Sequence, residues 1–208
     1  MEFRLTYEGP LYSETNRNGE VRRARADHKQ ELRQAFHPQL KRLWEAMPSL
    51  NGTHTGPVLL IGAESPERPP PHTIESLAQR FSRFGYRFVP LATRALSLLC
   101  SVDILYLRIE PPGAIVRYGD IDNRLKVLFD ALQVPREASQ VGKYTTPQEG
   151  EDPFFCLLED DSIISRVSVE ADTMLQPVPG CDETSAARIF ISVKLRPYVL
   201  SVDNLEFG

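Results

Sequence analysis

Two short segments carry the residue types that hydrolytic chemistry on phosphate esters requires. The first brings two carboxylates, a carboxamide and an amine into one run of eight residues, GDIDNRLK: Asp120, Asp122, Asn123 and Lys126. The second, EDD, adds the acids Asp160 and Asp161 after a long connection. Crowded carboxylates repel one another and lose hydration when buried, so a divalent cation is the natural way to hold them together. The pattern favours a metal-dependent phosphodiesterase.

The residues that follow Asp120 have the pattern of an amphipathic helix. Leucine and phenylalanine recur at three- and four-residue spacing up to Leu132, which predicts a helix from about Asp122, with Asp122 as its N-cap. Lys126 then lies one turn further on the same face, where an ammonium group would stabilise the pentacovalent phosphorus or the leaving oxygen. Asp160 and Asp161 come directly before an apolar segment, a suitable place for further metal ligands.

Other interpretations of this acidic pattern stay open at the level of the residues alone. Asp122 is equally suited to capping a helix while Asp120 shapes the preceding turn. A phosphatase of the haloacid dehalogenase type needs its first aspartate at the end of a buried strand, and VRYG before Asp120 is a poor strand end. A nucleotide-sugar transferase also uses an Asp-x-Asp pair on Mn²⁺, but the chain lacks an obvious nucleotide-binding half.

The remaining pattern indicates an α+β domain around a mixed sheet. Apolar alternation predicts strands at 3–8, 98–109, 162–170 and 187–196, with a short apolar piece at 58–62. Helical spacing predicts helices at 24–47, 73–84 and 122–132, the first of them kinked or stopped at His37-Pro38. We expect one domain over 1–208, with an insertion at 48–85 and an extended loop at 135–158. His54 and His72 are isolated and expected at the surface.

Composition and charge set limits on the class of protein. The net charge of −4 argues against a generally basic nucleic-acid coat, but the charge is unevenly spread. Residues 17–43 hold eight Lys/Arg against three acids, whereas residues 149–183 hold ten acids against Arg166 alone. Such a separation suits a basic surface that grips a phosphate backbone beside an acidic metal site, and it equally suits two solvated faces.

Cysteine use and hydropathy indicate where the chain works. Cys100, Cys156 and Cys181 are odd in number, widely spaced and in no CxxC pair, so we expect reduced, buried thiols. No apolar run approaches the ~20 residues that a membrane span needs, and the first residues lack a signal-peptide profile. The expected location is the cytoplasm.

Taken together, these motifs resemble the RusA-like Holliday junction resolvases, over 119–132 and 158–170. The matching features are DIDN, then Lys126, then FDAL, then Asp160-Asp161 before an apolar strand. The resemblance implies a RusA-like α+β fold, Mg²⁺ (with Mn²⁺ as an alternative), branched DNA as substrate, a homodimer, and a bacterial or phage origin. By this carry-over Asp120, Asp122, Asp161 and Asp160 are metal ligands, Asp122 and Lys126 are catalytic, and Asn123 supports them.

The chain departs from the family pattern in three ways. It is longer than a minimal member, the connection before Asp160 is stretched, and Arg117 alone stands where the family tends to carry arginines before its DxDN. Weaker junction binding, a different branched substrate, or DNA contacts moved to Arg22, Arg23, Arg25 and Lys29 would each explain the lone arginine. The candidate DNA-binding residues are Arg17, Arg22, Arg23, Arg25, Lys29, Arg117 and Arg124. The resulting hypothesis is a Mg²⁺-dependent, structure-selective DNA endonuclease. The alternative is a catalytically weak or inactive RusA-like adaptor that binds DNA or protein.

Overall fold

A four-stranded mixed sheet forms the frame of the structure. The computed structural model describes residues 1–12, 19–47, 72–109 and 121–208. The strands are β1 (Glu2–Pro10), β2 (Ser82–Arg83), β3 (Tyr86–Ala92), β4 (Leu98–Arg108), β5 (Phe154–Leu158), β6 (Ile164–Thr173) and β7 (Ala186–Pro197). The helices are α1 (Gly19–Ala46), α2 (Ile74–Arg80) and α3 (Ile121–Leu132). The main sheet has the order β1-β7-β4-β6, and β2-β3-β5 form a smaller sheet.

The direction of the strands decides which ends of the elements meet. β7 is antiparallel to both β1 and β4, whereas β6 runs parallel to β4. Successive side chains of a strand point to opposite faces, and in β4 the residues Cys100, Val102, Ile104 and Tyr106 are buried. The alternate residues of β4 are only half-buried. The sheet therefore has one face against the core and one open face.

The core lies between the main sheet, the smaller sheet and the helices. From α1 it receives four fully buried side chains at helical spacing: Leu32, Phe36, Leu40 and Trp44. β5 is buried along its whole length and pairs in parallel with β3. His37 joins α1 to β5, because its Nδ1 accepts a hydrogen bond from Phe155 N at 2.9 Å.

The expected α+β class with a mixed sheet and most expected elements are confirmed, with differences at particular residues. α1 continues through Pro38, so the predicted stop at that residue is wrong. α3 begins at Ile121, which places Asp122 in the first turn and not at the N-cap. The predicted strand at 58–62 lies outside the described residues. Among those residues, no helix has the length and apolar character to cross a membrane.

Two segments expected to be peripheral contribute to the core. Residues 135–158 were expected to be an extended loop, yet this segment contains the buried strand β5. Within the expected insertion, α2 buries Leu77 and Ala78 against the core. His72 was expected at the surface, but its ring stacks on Trp44 with centroids 5.8 Å apart. The sequence did not predict the burial of these segments, because a short apolar run has no periodicity that shows which elements will pack over it.

Candidate functional site at the start of α3

The first turn of α3 is fixed against the end of the main sheet. Arg124 donates from Nη1 to the hydroxyl oxygen of Tyr106 at 3.2 Å, and from Nη2 to Thr184 O at 3.2 Å. Tyr106 lies near the carboxyl end of β4, and Thr184 lies just before β7. Arg124 is therefore an anchor that sets the position of the helix start. The DNA contact predicted for Arg124 stays a prediction.

Both predicted catalytic side chains lie at the surface near the start of α3. Asp122 and Lys126 are both exposed, and Asn123 is half-buried. Asp122 and Lys126 stand four residues apart in one continuous helix, so they share a face. The prediction that Asp122 and Lys126 share one helical face is therefore confirmed, because both lie in α3.

Several candidate residues lie beyond what the structure describes. Asp120, Arg17 and Arg117 are outside the described residues. Arg22 and Arg23 belong to α1, but their side chains are not described. The metal and DNA roles predicted for these residues stay predictions.

The acids of the second motif meet α3 at its other end. Asp161 N donates to Gln133 Oε1 at 3.2 Å, and Val134 N donates to Leu158 O at 3.0 Å. Gln133 directly follows α3, so the turn that carries Asp160 and Asp161 lies beside the end of this helix. Eleven residues of helix separate Gln133 from Asp122, which corresponds to about 16 Å at 1.5 Å per residue.

The main sheet gives an independent measure of the same separation. Arg124 contacts Tyr106, whereas Ser165, shortly after Asp161, donates to Cys100 O at 3.2 Å. Six strand residues separate Cys100 from Tyr106, or about 20 Å at 3.3 Å per residue. Both measures place Asp160 and Asp161 far from Asp122 within one chain.

Asp160 and Asp161 are instead held in an ion-pair network with two arginines. Arg136 Nη2 lies 2.7 Å from Asp160 Oδ2 and 2.5 Å from Asp161 Oδ1, and Arg94 Nη2 lies 3.0 Å from Asp160 Oδ1. Burial opposes ionisation of Asp160, but hydrogen bonds from Ser162 and Arg94 and the charge of Arg136 outweigh it. The pKa of Asp160 is therefore held well below its usual range. Both carboxylates therefore already lie against positive charge.

Among the described residues, the structure does not bring Asp160 or Asp161 next to Asp122, and their predicted role as metal ligands stays a prediction. Over the described residues, no three His, Cys, Asp or Glu side chains gather in a way that would hold a metal ion. The acids that remain at the start of α3 are Asp122 and its chain neighbour Asp120. Mg²⁺ commonly keeps several waters and uses only one or two protein carboxylates together with substrate phosphates. Such a pair is compatible with that mode of binding.

The described basic side chains of α1 serve the packing of α3 more than an exposed surface. Lys29 Nζ lies 2.5 Å from Asp130 Oδ2, and both side chains are largely buried. Arg25 is half-buried, and its Nε and Nη2 are shielded from solvent. Lys29 is thus paired with Asp130 and Arg25 is partly shielded, while the DNA contacts predicted for both residues stay predictions.

A buried arginine joins the two long helices. Arg33 donates to Asp130 O at 2.6 Å, to Gln133 O at 3.2 Å and to Gln140 O at 2.9 Å. The first two are carbonyls at the end of α3, where the helix leaves acceptors unpaired and carries partial negative charge. Lys29 and Arg33 therefore both hold α1 against the last turn of α3, around Asp130.

Sequence reasoning did not find Arg94, Arg136 or Arg33 as organising residues. Their partners lie far away along the chain, and nothing in the local pattern distinguishes them from solvated charges. The one available signal was a balance of charge, since Asp160 and Asp161 need nearby cations if no metal holds them.

Comparisons with family models, with curated proteins and with solved structures find no match for this chain.

Proposed function

We propose that this protein is a metal-dependent endonuclease of the RusA-like type that cleaves branched DNA. The observation that carries the proposal is the pair Asp122 and Lys126, exposed together on one face of a helix start that Arg124 anchors to the sheet. An anchored helix start holds a carboxylate and an ammonium at a fixed spacing, as positioning catalysis requires. The amino-terminal end of a helix also favours a bound phosphate.

Each of these residues has a separate chemical role in the proposal. Asp122, with Asp120, would hold Mg²⁺ (or Mn²⁺), which supplies an acidified water and neutralises charge on the phosphate oxygens. Lys126 contributes a positive charge one helical turn away, where it stabilises the negative charge that grows on the leaving oxygen. Asn123 supports this arrangement as a neutral polar group. Two copies of the chain would allow paired cuts in a symmetric junction.

The second candidate function is a RusA-like adaptor that binds DNA or protein without cutting. One observation favours it: Asp160 and Asp161 are neutralised by Arg94 and Arg136 and lie at the far end of α3 from Asp122. A protein of this kind retains the fold and the basic amino-terminal half of α1 but lacks a complete set of metal-binding acids.

The deciding experiment measures cleavage of labelled four-way junction, fork and linear duplex with and without Mg²⁺. The wild type is expected to nick the branched substrates only when the metal is present. Asp122→Asn and Lys126→Ala are each expected to lower the rate by roughly 10²–10³-fold, the range typical of a lost charge-stabilising group. Both residues are exposed, so circular dichroism and the urea midpoint should stay close to those of the wild type.

Asp161→Asn is the matched control, because it neutralises an exposed acid at the other end of α3. Retained cleavage by this variant would assign the site to the start of α3. A loss as complete as that of Asp122→Asn would show that the two acids act together on bound DNA. Junction binding by a wild type that never cleaves with Mg²⁺ or Mn²⁺ would favour the adaptor.

A further inference from the structure

Among the described strands, the edges of β1, β5 and β6 differ in how they are covered. On the edge of β1, the side-chain amide of Gln39 accepts from Thr6 N at 2.9 Å and donates to Thr6 O at 2.8 Å. On the edge of β5, His37 accepts from Phe155 N and Val134 donates to Leu158 O. Unpaired strand edges attract further strands, and proteins commonly cover them in this way.

The outer edge of β6 has no such cover among the described residues. β6 pairs with β4 on one side, and no described segment hydrogen-bonds its other side. Its residues from Ser165 to Ser168 are exposed, and the Val167 side chain, at 45%, is among the exposed large apolar groups. A ten-residue strand with an accessible edge is long for a chain that works alone.

The geometry points to a second copy of this chain as the occupant of that edge, paired antiparallel through β6 so that the two main sheets join. A bulge interrupts β6 at Ser165, since Cys100 pairs with Ile164 and Ser101 with Arg166. The regular part of the strand therefore runs from Arg166 to Asp172. A two-fold axis through Val169 pairs this whole segment with the same segment of the second copy.

The side chains of β6 complement one another about this axis. Arg166 of one copy stands opposite Asp172 of the other, twice per dimer and both times on the open face of the sheet. Val167 stands opposite Ala171, and Val169 opposite itself, on the face that carries the helices. Directly opposed cross-strand pairs of opposite charge and of apolar side chains both stabilise a sheet. A shift by one pair in one direction would instead oppose Glu170 to itself, which the charge pattern disfavours.

The competing explanation of β6 is an edge that its own charges protect from pairing. Charges that prevent pairing do so best when every register places like charges opposite each other. In β6 one cation, Arg166, stands at one end of the regular segment and the acids Glu170 and Asp172 stand at the other. This order is attractive in the antiparallel pairing proposed here. Arg166 also lies 3.2 Å from Asp103 of its own chain, but both side chains are exposed, so this pair leaves the guanidinium accessible to a second acid.

The experiment measures mass in solution by light scattering and sedimentation across a range of protein concentrations. The wild type is expected to be dimeric. Asp172→Arg places an arginine opposite Arg166 in both cross-strand pairs. It is expected to raise the dissociation constant of the dimer at least about tenfold. The double variant Arg166→Glu with Asp172→Arg exchanges the charges and is expected to regain most of the affinity. Asp203→Arg, the same change of charge at an exposed site outside the sheet, is the control.

A crosslink tests the register directly. Residues directly opposite in an antiparallel pair have Cα atoms about 4.5–5.5 Å apart, within the range that a disulfide spans. Val169→Cys is therefore expected to form a covalent dimer on mild oxidation, and the wild type, with its native cysteines, is not. A wild type that is monomeric at all concentrations would overturn the inference. So would a dimer that Asp172→Arg leaves intact and Val169→Cys does not crosslink. None of these measurements depends on nuclease activity.

Discussion

Acidification is expected to destabilise the protein through histidines that the core holds neutral. His72 stacks on Trp44, and its Nε2 is shielded from solvent. Burial lowers the pKa of His72 to about 4, against the opposing effect of a hydrogen bond with the backbone of Leu91. Burial also lowers the pKa of His37 and of His28. In each case the folded state prefers the uncharged ring.

The hydrogen bonds of His37 add a geometric reason. Its Nδ1 accepts from Phe155 N at 2.9 Å and its Nε2 lies 3.1 Å from Gly150 O, so the network assigns the hydrogen to Nε2. A proton on His37 Nδ1 would place its N–H group against the backbone N–H of Phe155, and the hydrogen bond would be lost. Protonation therefore opposes the contact that joins α1 to β5.

The sign and size of the effect follow from linkage. A histidine whose pKa is lower in the folded state gives the unfolded chain more bound protons, so stability rises with pH. The stabilisation is complete above the unfolded pKa of about 6.5 and is lost as the pH falls towards 4. For His72, a shift from 6.5 to about 4 corresponds to about 3 kcal/mol of unfolding free energy. This amount is a large part of a typical domain stability of about 5–15 kcal/mol.

Urea denaturation at a series of pH values from 7.5 to 4.5 measures this loss. The wild type is expected to lose stability steadily below pH 6.5. His72→Phe keeps the stacking on Trp44 and removes the titrating group, so its profile should be flatter than that of the wild type. A wild-type profile that is level over this range would refute the reasoning. An equally steep profile in the variant would refute the part assigned to His72.

Two further substitutions test how the helices are fixed, each by urea denaturation. Gly142 has φ +58°, and a Cβ there would lie 2.7 Å from Asp27 N in α1, so Gly142→Ala is expected to cost about 3 kcal/mol from crowding and backbone strain. Gly180→Ala, at φ +76° with no atom within 4 Å, should cost only the strain of about 1–2 kcal/mol, and equal losses would contradict the close approach. Arg33→Met leaves three carbonyl oxygens without their donor, so a loss of about 3–5 kcal/mol is expected. Arg33→Lys should recover part of it, and a loss below about 1 kcal/mol for Arg33→Met would contradict its role.

Local spacing alone predicted α3, several strands of the main sheet and the order of the chemical groups along α3. A helical spacing of leucines predicted α3, and four-residue spacing placed Asp122 and Lys126 on one face, because both properties depend only on near neighbours. The alternation in β4 and β7 similarly predicted two strands of the main sheet. The fold class followed from the mixture of these periods.

Which ends of the elements meet depends on contacts between distant segments. The pattern set Asp161 before a strand, but the parallel pairing of β6 with β4 places that strand start at the far end of α3 from Asp122. Lys29 and Arg124 looked like free cations in the sequence, yet each has a partner supplied by a distant segment. Strand direction and ion pairing join residues far apart along the chain, and no local spacing records them. For that reason the acids of the two motifs, alike in type, have different surroundings.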